Sequence, residues 1–330
     1  CYITKQINLI YPLKNLNLEK INNDLSIKFI SLALLKSCRP KQWTKNILIF
    51  AVILFSFVFN EVVFFNCLLA FISFCCISSA IYIFNDIKDI SKDKLHPTKR
   101  FRPIAKGDLP LNIAINSSLL LAIVSLIFGY FISIKFLIII IIYGIIQIAY
   151  CIKLKKEPIL EVLCIASGFL LRAVSGVVSS EIGFSPWFIL TVGLLALFLA
   201  IEKRKAELNF YIKEAVLTRE ILKKYSIPLL ERYESLLASS TFISYSLWAA
   251  GPSLNGAQSS WMLLSIPFVL LGIFRYQYIS DNKISKIRKN TGKYISTENP
   301  ELILLHDKGI RFIIIGWLTI VICVGLLFRN

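Results

Sequence analysis

Charge is scarce in this sequence, and acidic charge scarcer still. Of 330 residues only 17% are Asp, Glu, Lys or Arg, with 20 acids against 37 bases, while 56% are apolar and the mean hydropathy is +0.68. That excludes an ordinary soluble domain and places the chain in a bilayer. Histidine is almost absent, with His96 and His306 alone, and the eight cysteines contain no CxxC pair and no metal-ligand spacing. Neither a zinc site nor a disulfide framework is expected. Cys67, Cys75, Cys76, Cys164 and Cys323 fall inside apolar runs, where cysteine is a small, inert hydrophobe. No fixed-period repeat occurs and no linker divides the chain into two cores. One polytopic membrane domain over residues 37–330 is expected, preceded by a polar, Asn-rich segment and an interfacial amphipathic helix within residues 1–36 that carries Leu25, Phe29, Leu32 and Leu35 on one side. The chain opens at Cys1 instead of a methionine, as expected of a truncated sequence more than of a lipidated N-terminus, because no processed signal is visible.

What is abundant is the long apolar run. Such runs recur at about residues 47–59, 67–84, 111–130, 134–150, 159–178, 186–201, 236–250, 261–279 and 310–328, most of them near the roughly 20 residues that a helix needs to cross the hydrocarbon core. Nine spans with a cytoplasmic N-terminus put the loops at 36–46, 85–110, 151–158, 202–235 and 275–309 on one side, and those loops hold 29 of the 37 Lys and Arg residues. The opposite loops hold almost none, Lys135 and Arg329 excepted, as the positive-inside rule requires. The reading is therefore an all-α membrane protein of nine transmembrane helices around a central cavity that opens to the cytoplasm of an inner membrane. Its net charge of +17 fits bilayer orientation and anionic substrates or lipids, with no call for nucleic acid. Nothing in the pattern specifies an oligomer. The charged segment from Glu202 to Leu208, continuing to Tyr233, is expected to form cytoplasmic surface helices.

The few acids are not scattered. Asp86, Asp89 and Asp93 follow i, i+3, i+7 spacing, so one helical face presents all three. Like charges this close call for a bound cation, and Mg²⁺, which takes one or two carboxylates plus substrate phosphate oxygens, is the natural guest. Lys99, Arg100 and Arg102 follow at once and suit the phosphate charge left over. The bland alternative is a solvated loop carrying topology information only. His96, before a proline, reads as a structural hydrogen-bonder and not as a base.

The string NDIKDISKDKLHPTKRFRPIAKG resembles the first signature of the UbiA-type intramembrane prenyltransferase superfamily, and HPTKRFRPIA is close to its decaprenyl-phosphate phosphoribosyltransferase branch. Tyr150 to Glu161, at the next cytoplasmic return, resembles the position of the family's second signature, where many prenyltransferases carry a second Asp-rich motif. Here Lys155 and Glu161 stand with no DxxxD, which departs from aromatic prenyltransferases and matches the phosphoribosyltransferase branch. The segments Arg39 to Asn46, Lys203 to Leu208 and Pro300 to Asp307 extend the likeness over nearly everything after residue 36. Arg172 lies well inside an apolar run, eleven residues after Glu161, so the two side chains point in nearly the same direction. An arginine at that depth either faces a wet cavity or pairs with a neighbouring helix.

The resemblance implies transfer of 5-phosphoribose from phosphoribosyl pyrophosphate to a long-chain polyprenyl phosphate, with release of pyrophosphate. A polyprenyl phosphate is largely ionised at neutral pH, so no strong general base is needed. The work is positioning and electrostatics. On this reading Asp86 and Asp89, with Asp93 directly or through water, hold Mg²⁺, and Asn85 orients that shell. Lys99, Arg100 and Arg102 face the donor phosphates. Lys41, Lys45, Lys155 and Arg172 are candidates for the lipid phosphate or remaining donor charge, and Tyr150 and Glu161 for ribose hydroxyls or a basic side chain. Two rivals are a prenyl transfer from a diphosphate to an aromatic or other small acceptor, and a transporter. The first lacks its second acidic motif, and the second lacks duplicated halves or broken helices.

Overall fold

A computed structural model describes residues 29–56, 60–96, 98–183, 185–214, 220–254, 256–281, 303 and 306–327, and among them every regular element is helical. Helix α1 (Phe29–Cys38) leads into a 3-10 helix (Pro40–Phe50) and α2 (Ala51–Ser56). There follow α3 (Glu61–Lys88), α4 (Ile90–Leu95), α5 (Pro103–Lys106), α6 (Leu111–Ile132), α7 (Ile134–Ile152), α8 (Leu160–Ser180), α9 (Pro186–Glu214), α10 (Ile227–Ala249), α11 (Ile266–Ser280) and α12 (Lys308–Leu327). Among the described residues seven helices are long and apolar enough to cross a membrane: α3, α6, α7, α8, α9 over Pro186–Ile212, the stretch Ser260–Ser280 that contains α11, and α12. The other two apolar runs take different forms. Residues 47–59 fall across the end of the 3-10 helix and α2, and residues 57–59 lie outside the described residues. The run at 236–250 ends α10, whose first turns carry Glu231, Arg232 and Glu234.

The helix boundaries follow local chemistry. Asn60 caps α3, accepting from the Val62 N–H at 3.0 Å. Ser133 is the whole connection between α6 and α7: extended at φ −173°, it ends one helix and caps the next by accepting from the Phe136 N–H at 3.1 Å. Small residues then bring helices close. Ser73 of α3 and Ser125 of α6 each donate to the other's backbone carbonyl, at 3.0 and 2.9 Å. Gly176 of α8 faces the Ile49 carbonyl so closely that an added Cβ would lie 2.0 Å from its oxygen. A larger residue there would push the 3-10 helix off α8.

Helix α8 is the hub, packed against the 3-10 helix, α3, α7 and α9, while α9 pairs with α10 and α11 with α12. Apolar side chains of α3, α7 and α8, among them Phe74, Phe136, Ile140, Tyr143 and Val177, form the core between them. The seven cysteines among the described residues are free thiols, most of them buried. On α1, Phe29, Leu32 and Leu35 are exposed while Ala33 and Cys38 are buried, which leaves an apolar outer face. The segment 202–208 differs from expectation: it is no surface helix but the unbroken continuation of α9, with Glu202 and Arg204 buried. Its charges can be buried because they neutralise one another across helices.

Candidate active site

The C-terminal end of α3, the return between α7 and α8, and the last turns of α9 meet at one end of the bundle, and the charged motifs meet there with them. Asp86, on the last turns of α3, is 2% exposed, and Asp93, on α4, is 4% exposed. The Arg102 guanidinium bridges them: Nη1 donates to Asp86 Oδ1 at 3.0 Å and to Asp93 Oδ2 at 2.6 Å. Arg39, ahead of the 3-10 helix, also donates to Asp86 Oδ1, and its guanidinium carbon lies 4.9 Å from the Tyr82 ring centroid. Asp89 turns elsewhere. It caps α3, and both its carboxylate oxygens accept from Lys155 Nζ, at 2.7 and 3.0 Å; Asn85 Oδ1 lies 3.5 Å from the same ammonium. The three acids thus divide between two neighbouring ionic groups, and Lys155 joins the second motif to the first.

Other expected residues surround these groups or lie apart from them. Lys99 and Arg100 sit on a 3-10 turn beside them, with Arg100 exposed and its guanidinium carbon 4.8 Å from the Phe101 ring. The turn is held by His96, whose Nδ1 accepts from the N–H groups of Thr98 and Lys99 at 3.3 and 3.4 Å. Burial and the adjacent Lys99 charge keep the imidazole below its usual pKa. A neutral ring is what this acceptor role requires. Lys41 is exposed, and Lys45 is half-buried with its ammonium 6.0 Å from the Phe169 ring. Tyr150 is half-buried against the α3/α7/α8 core.

Arg172 and Glu161 go to different partners. Arg172 Nε donates to Asn46 Oδ1 at 2.7 Å, Nη1 to the Gly168 carbonyl at 2.6 Å and Nη2 to the Tyr143 hydroxyl at 3.0 Å. Each of its nitrogens is thereby engaged inside the bundle, and Arg172 ties the 3-10 helix and α7 to α8. Glu161 is fully buried and accepts from Arg204 Nε at 2.6 Å; Arg204, also fully buried, donates to Glu207 as well. Beside them Lys205 bridges Glu202, at 2.7 Å, to Glu234 of α10. Arg39, Asn46 and Arg204 lie in segments that carry the family resemblance but were assigned no role from the sequence, and Tyr143, a polar residue inside an apolar run, was not singled out.

The donor set suits a hard divalent ion through one pair of side chains. Among the described residues no three His, Cys, Asp or Glu side chains converge on a metal position. Asp86 and Asp93 do converge, because a single Arg102 nitrogen lies within 3.0 Å of both. A pair of carboxylates with phosphate and water oxygens completing the shell is the usual environment of Mg²⁺, so these residues fit such an ion, while Asp89 is committed to Lys155.

Residues 46–294 match the UbiA prenyltransferase family. The chain belongs to that family. Its fold agrees: the solved structure of a UbiA homolog from Archaeoglobus fulgidus bound to GPP and Mg²⁺ superimposes with a TM-score of 0.66 at 18% identity, covering 88% of this chain and 99% of that one. Among relatives by sequence, the decaprenyl-phosphate phosphoribosyltransferase of Mycolicibacterium smegmatis is 33% identical over 299 residues, 86% of this chain and 90% of its own length. The protein of the same description from Mycobacterium tuberculosis (strain H37Rv) is 31% identical over 293 residues, 87% and 92% of the two chains. This family member is thus a multi-pass membrane protein whose charged motifs gather at one end of the helical bundle.

Proposed function

We propose that this UbiA-family protein transfers 5-phosphoribose from phosphoribosyl pyrophosphate to a long-chain polyprenyl phosphate and releases pyrophosphate. The observation that carries the reading is the likeness, over most of both chains, to relatives described as decaprenyl-phosphate phosphoribosyltransferases. The pairing with Asp89 supports it, because a lysine, Lys155, completes the acid motif where a second acidic cluster is missing. The likeness to a structure bound to GPP bears on fold alone, at 18% identity.

The bond broken is the one between ribose C1 and the pyrophosphate, and the bond formed joins C1 to a phosphate oxygen of the lipid. Asp86 and Asp93 would hold Mg²⁺, which supplies charge neutralisation for the departing pyrophosphate. Arg102 and Arg39, which pair with those carboxylates, would turn to the donor's phosphates, with Lys99 and Arg100 beside them. Lys155, held by Asp89 and Asn85, adds a point charge in the neighbouring group. Lys41 and Lys45, ahead of the bundle, suit the lipid phosphate. Arg172 and Glu161 act at a distance, by fixing helices. In the membrane, nine spans and a cytoplasmic active site remain the arrangement that the one-sided basic loops favour, with α2 and its 3-10 helix as the first span and α10 as the seventh. Residues 37–330 then form one catalytic domain with α1 lying on the surface.

The test is direct. Purified protein in liposomes, given radiolabelled phosphoribosyl pyrophosphate, Mg²⁺ and a polyprenyl phosphate, should move label into the organic phase. Transfer of a prenyl group from geranyl diphosphate to a small acceptor, with no label moved from phosphoribosyl pyrophosphate, would replace this reading by the prenyltransferase one.

A further inference from the structure

At the start of α8 the backbone is strained without an evident reward from its own side chain. Ile159 has φ 66° and ψ −52°, a conformation that a β-branched residue avoids. The Leu160 N–H donates to the Pro158 carbonyl at 2.7 Å, closing a three-residue turn of the rare positive-φ kind around Ile159. The Ile159 side chain is 51% exposed, so burial does not offset the strain. The stabilising contact comes from far along the chain: the Ile159 N–H donates to the Tyr225 hydroxyl at 2.8 Å. Tyr225 is buried in an apolar cluster with Val162, Leu208 and Leu230, which fixes the hydroxyl in space. Next to it, Lys224 Nζ donates to the Lys156 carbonyl at 3.1 Å. The segment 220–225 therefore grips the α7–α8 return at two points.

That return carries the second motif. Lys155 stands four residues before the strained turn and reaches Asp89; Glu161 stands two residues after it and reaches Arg204. If the peptide between Pro158 and Ile159 rotated to relieve the strain, the course of the chain between these two anchors would change. The Lys155 ammonium, less rigidly anchored than buried Glu161, would be the end that moves.

We infer that Tyr225 is a positioning residue, whose hydroxyl holds the strained turn at Ile159 and thereby aims Lys155 at Asp89 and the donor end of the site. Its kinetic consequence rests on the phosphoribosyl-transfer reading; its structural consequence does not. Tyr225→Phe keeps the ring and its packing and deletes only the acceptor. Hydrogen exchange of the amides at 157–161, read by mass spectrometry on the intact protein in detergent, should accelerate about tenfold, on the scale of one lost hydrogen bond. The KM for phosphoribosyl pyrophosphate should rise about tenfold, while that for polyprenyl phosphate stays within twofold. Adding Ile159→Gly, which takes positive φ without strain, should bring the KM for phosphoribosyl pyrophosphate back to within about threefold of wild type, although the residue-159 amide itself still lacks its acceptor.

Wild-type exchange in Tyr225→Phe would overturn the inference. So would equal KM rises for both substrates, or a failure of Ile159→Gly to rescue, since either points to general loosening. A wild-type protein that transfers no phosphoribose would instead sink the functional reading, and the exchange comparison would still decide the role of Tyr225.

Discussion

Arg204→Ala would remove the buried cation that two carboxylates inside the bundle, Glu161 and Glu207, share. Arg204 and Glu161 have no exposed side-chain surface and Glu207 has 9%. Removing one partner of such a pair costs about 3–5 kcal/mol, because the remaining charge stays desolvated. With 330 residues and an unfolding entropy per residue like that of globular domains, the loss corresponds to a Tm drop of about 4–7 °C. An internal control is Lys106→Ala, which breaks the 2.9 Å pair with Asp108, where the lysine side chain is 54% exposed; screened pairs contribute at most about 1 kcal/mol. The assay is thermal unfolding in detergent micelles followed by the fluorescence of the five tryptophans. A triple change, Arg204→Met with Glu161→Gln and Glu207→Gln, should recover most of the loss by removing the stranded charges. If Arg204→Ala lowers Tm no more than Lys106→Ala does, the buried ion triad is not formed and the argument fails.

Asp86→Asn and Asp93→Asn should each lower turnover about a hundredfold and weaken Mn²⁺ binding in the presence of pyrophosphate, read by electron paramagnetic resonance; unchanged Mn²⁺ affinity in both would remove the metal from this pair. Asp89→Asn should resemble Lys155→Ala in its kinetics more than it resembles Asp86→Asn, because Asp89 is paired with Lys155. Burial and the Lys99 charge lower the His96 pKa in the fold, so on acidification the unfolded chain takes up a proton that the fold resists; stability should begin to fall as pH drops below about 6.5, and His96→Asn, which keeps an acceptor for the turn, should flatten that part of the profile. For topology, cysteines at Lys92 and Lys223 should react with an impermeant maleimide from the cytoplasmic side alone and one at Ser253 from the opposite side alone; labelling of Lys92 and Ser253 from one side would overturn the span count.

Much of this protein was legible in its linear pattern, for a local reason. Apolar runs long enough to span hydrocarbon announce membrane helices, and the asymmetry of lysine and arginine in the loops needs no folding to be counted. The acid motif was legible because Asp86, Asp89 and Asp93 lie within eight residues of one another, and His96 because the turn it holds begins two residues later. Seven of the nine expected spans appear as long apolar helices; the other two depart because a 3-10 helix interrupts one and charges occupy the first turns of the other. What the tertiary structure alone decided is the partner of each charge. Arg39 meets Asp86 across 47 positions, Lys155 meets Asp89 across 66, Glu161 meets Arg204 across 43, and Arg172 meets Asn46 across 126. Helical spacing placed Glu161 and Arg172 in nearly one direction, yet each is drawn to a different neighbour, since a buried charge must end beside whatever polar group the packed helices bring within reach. The residues that can hold charge follow from composition and order; whether a given one binds, positions or braces follows from the helix packed against it.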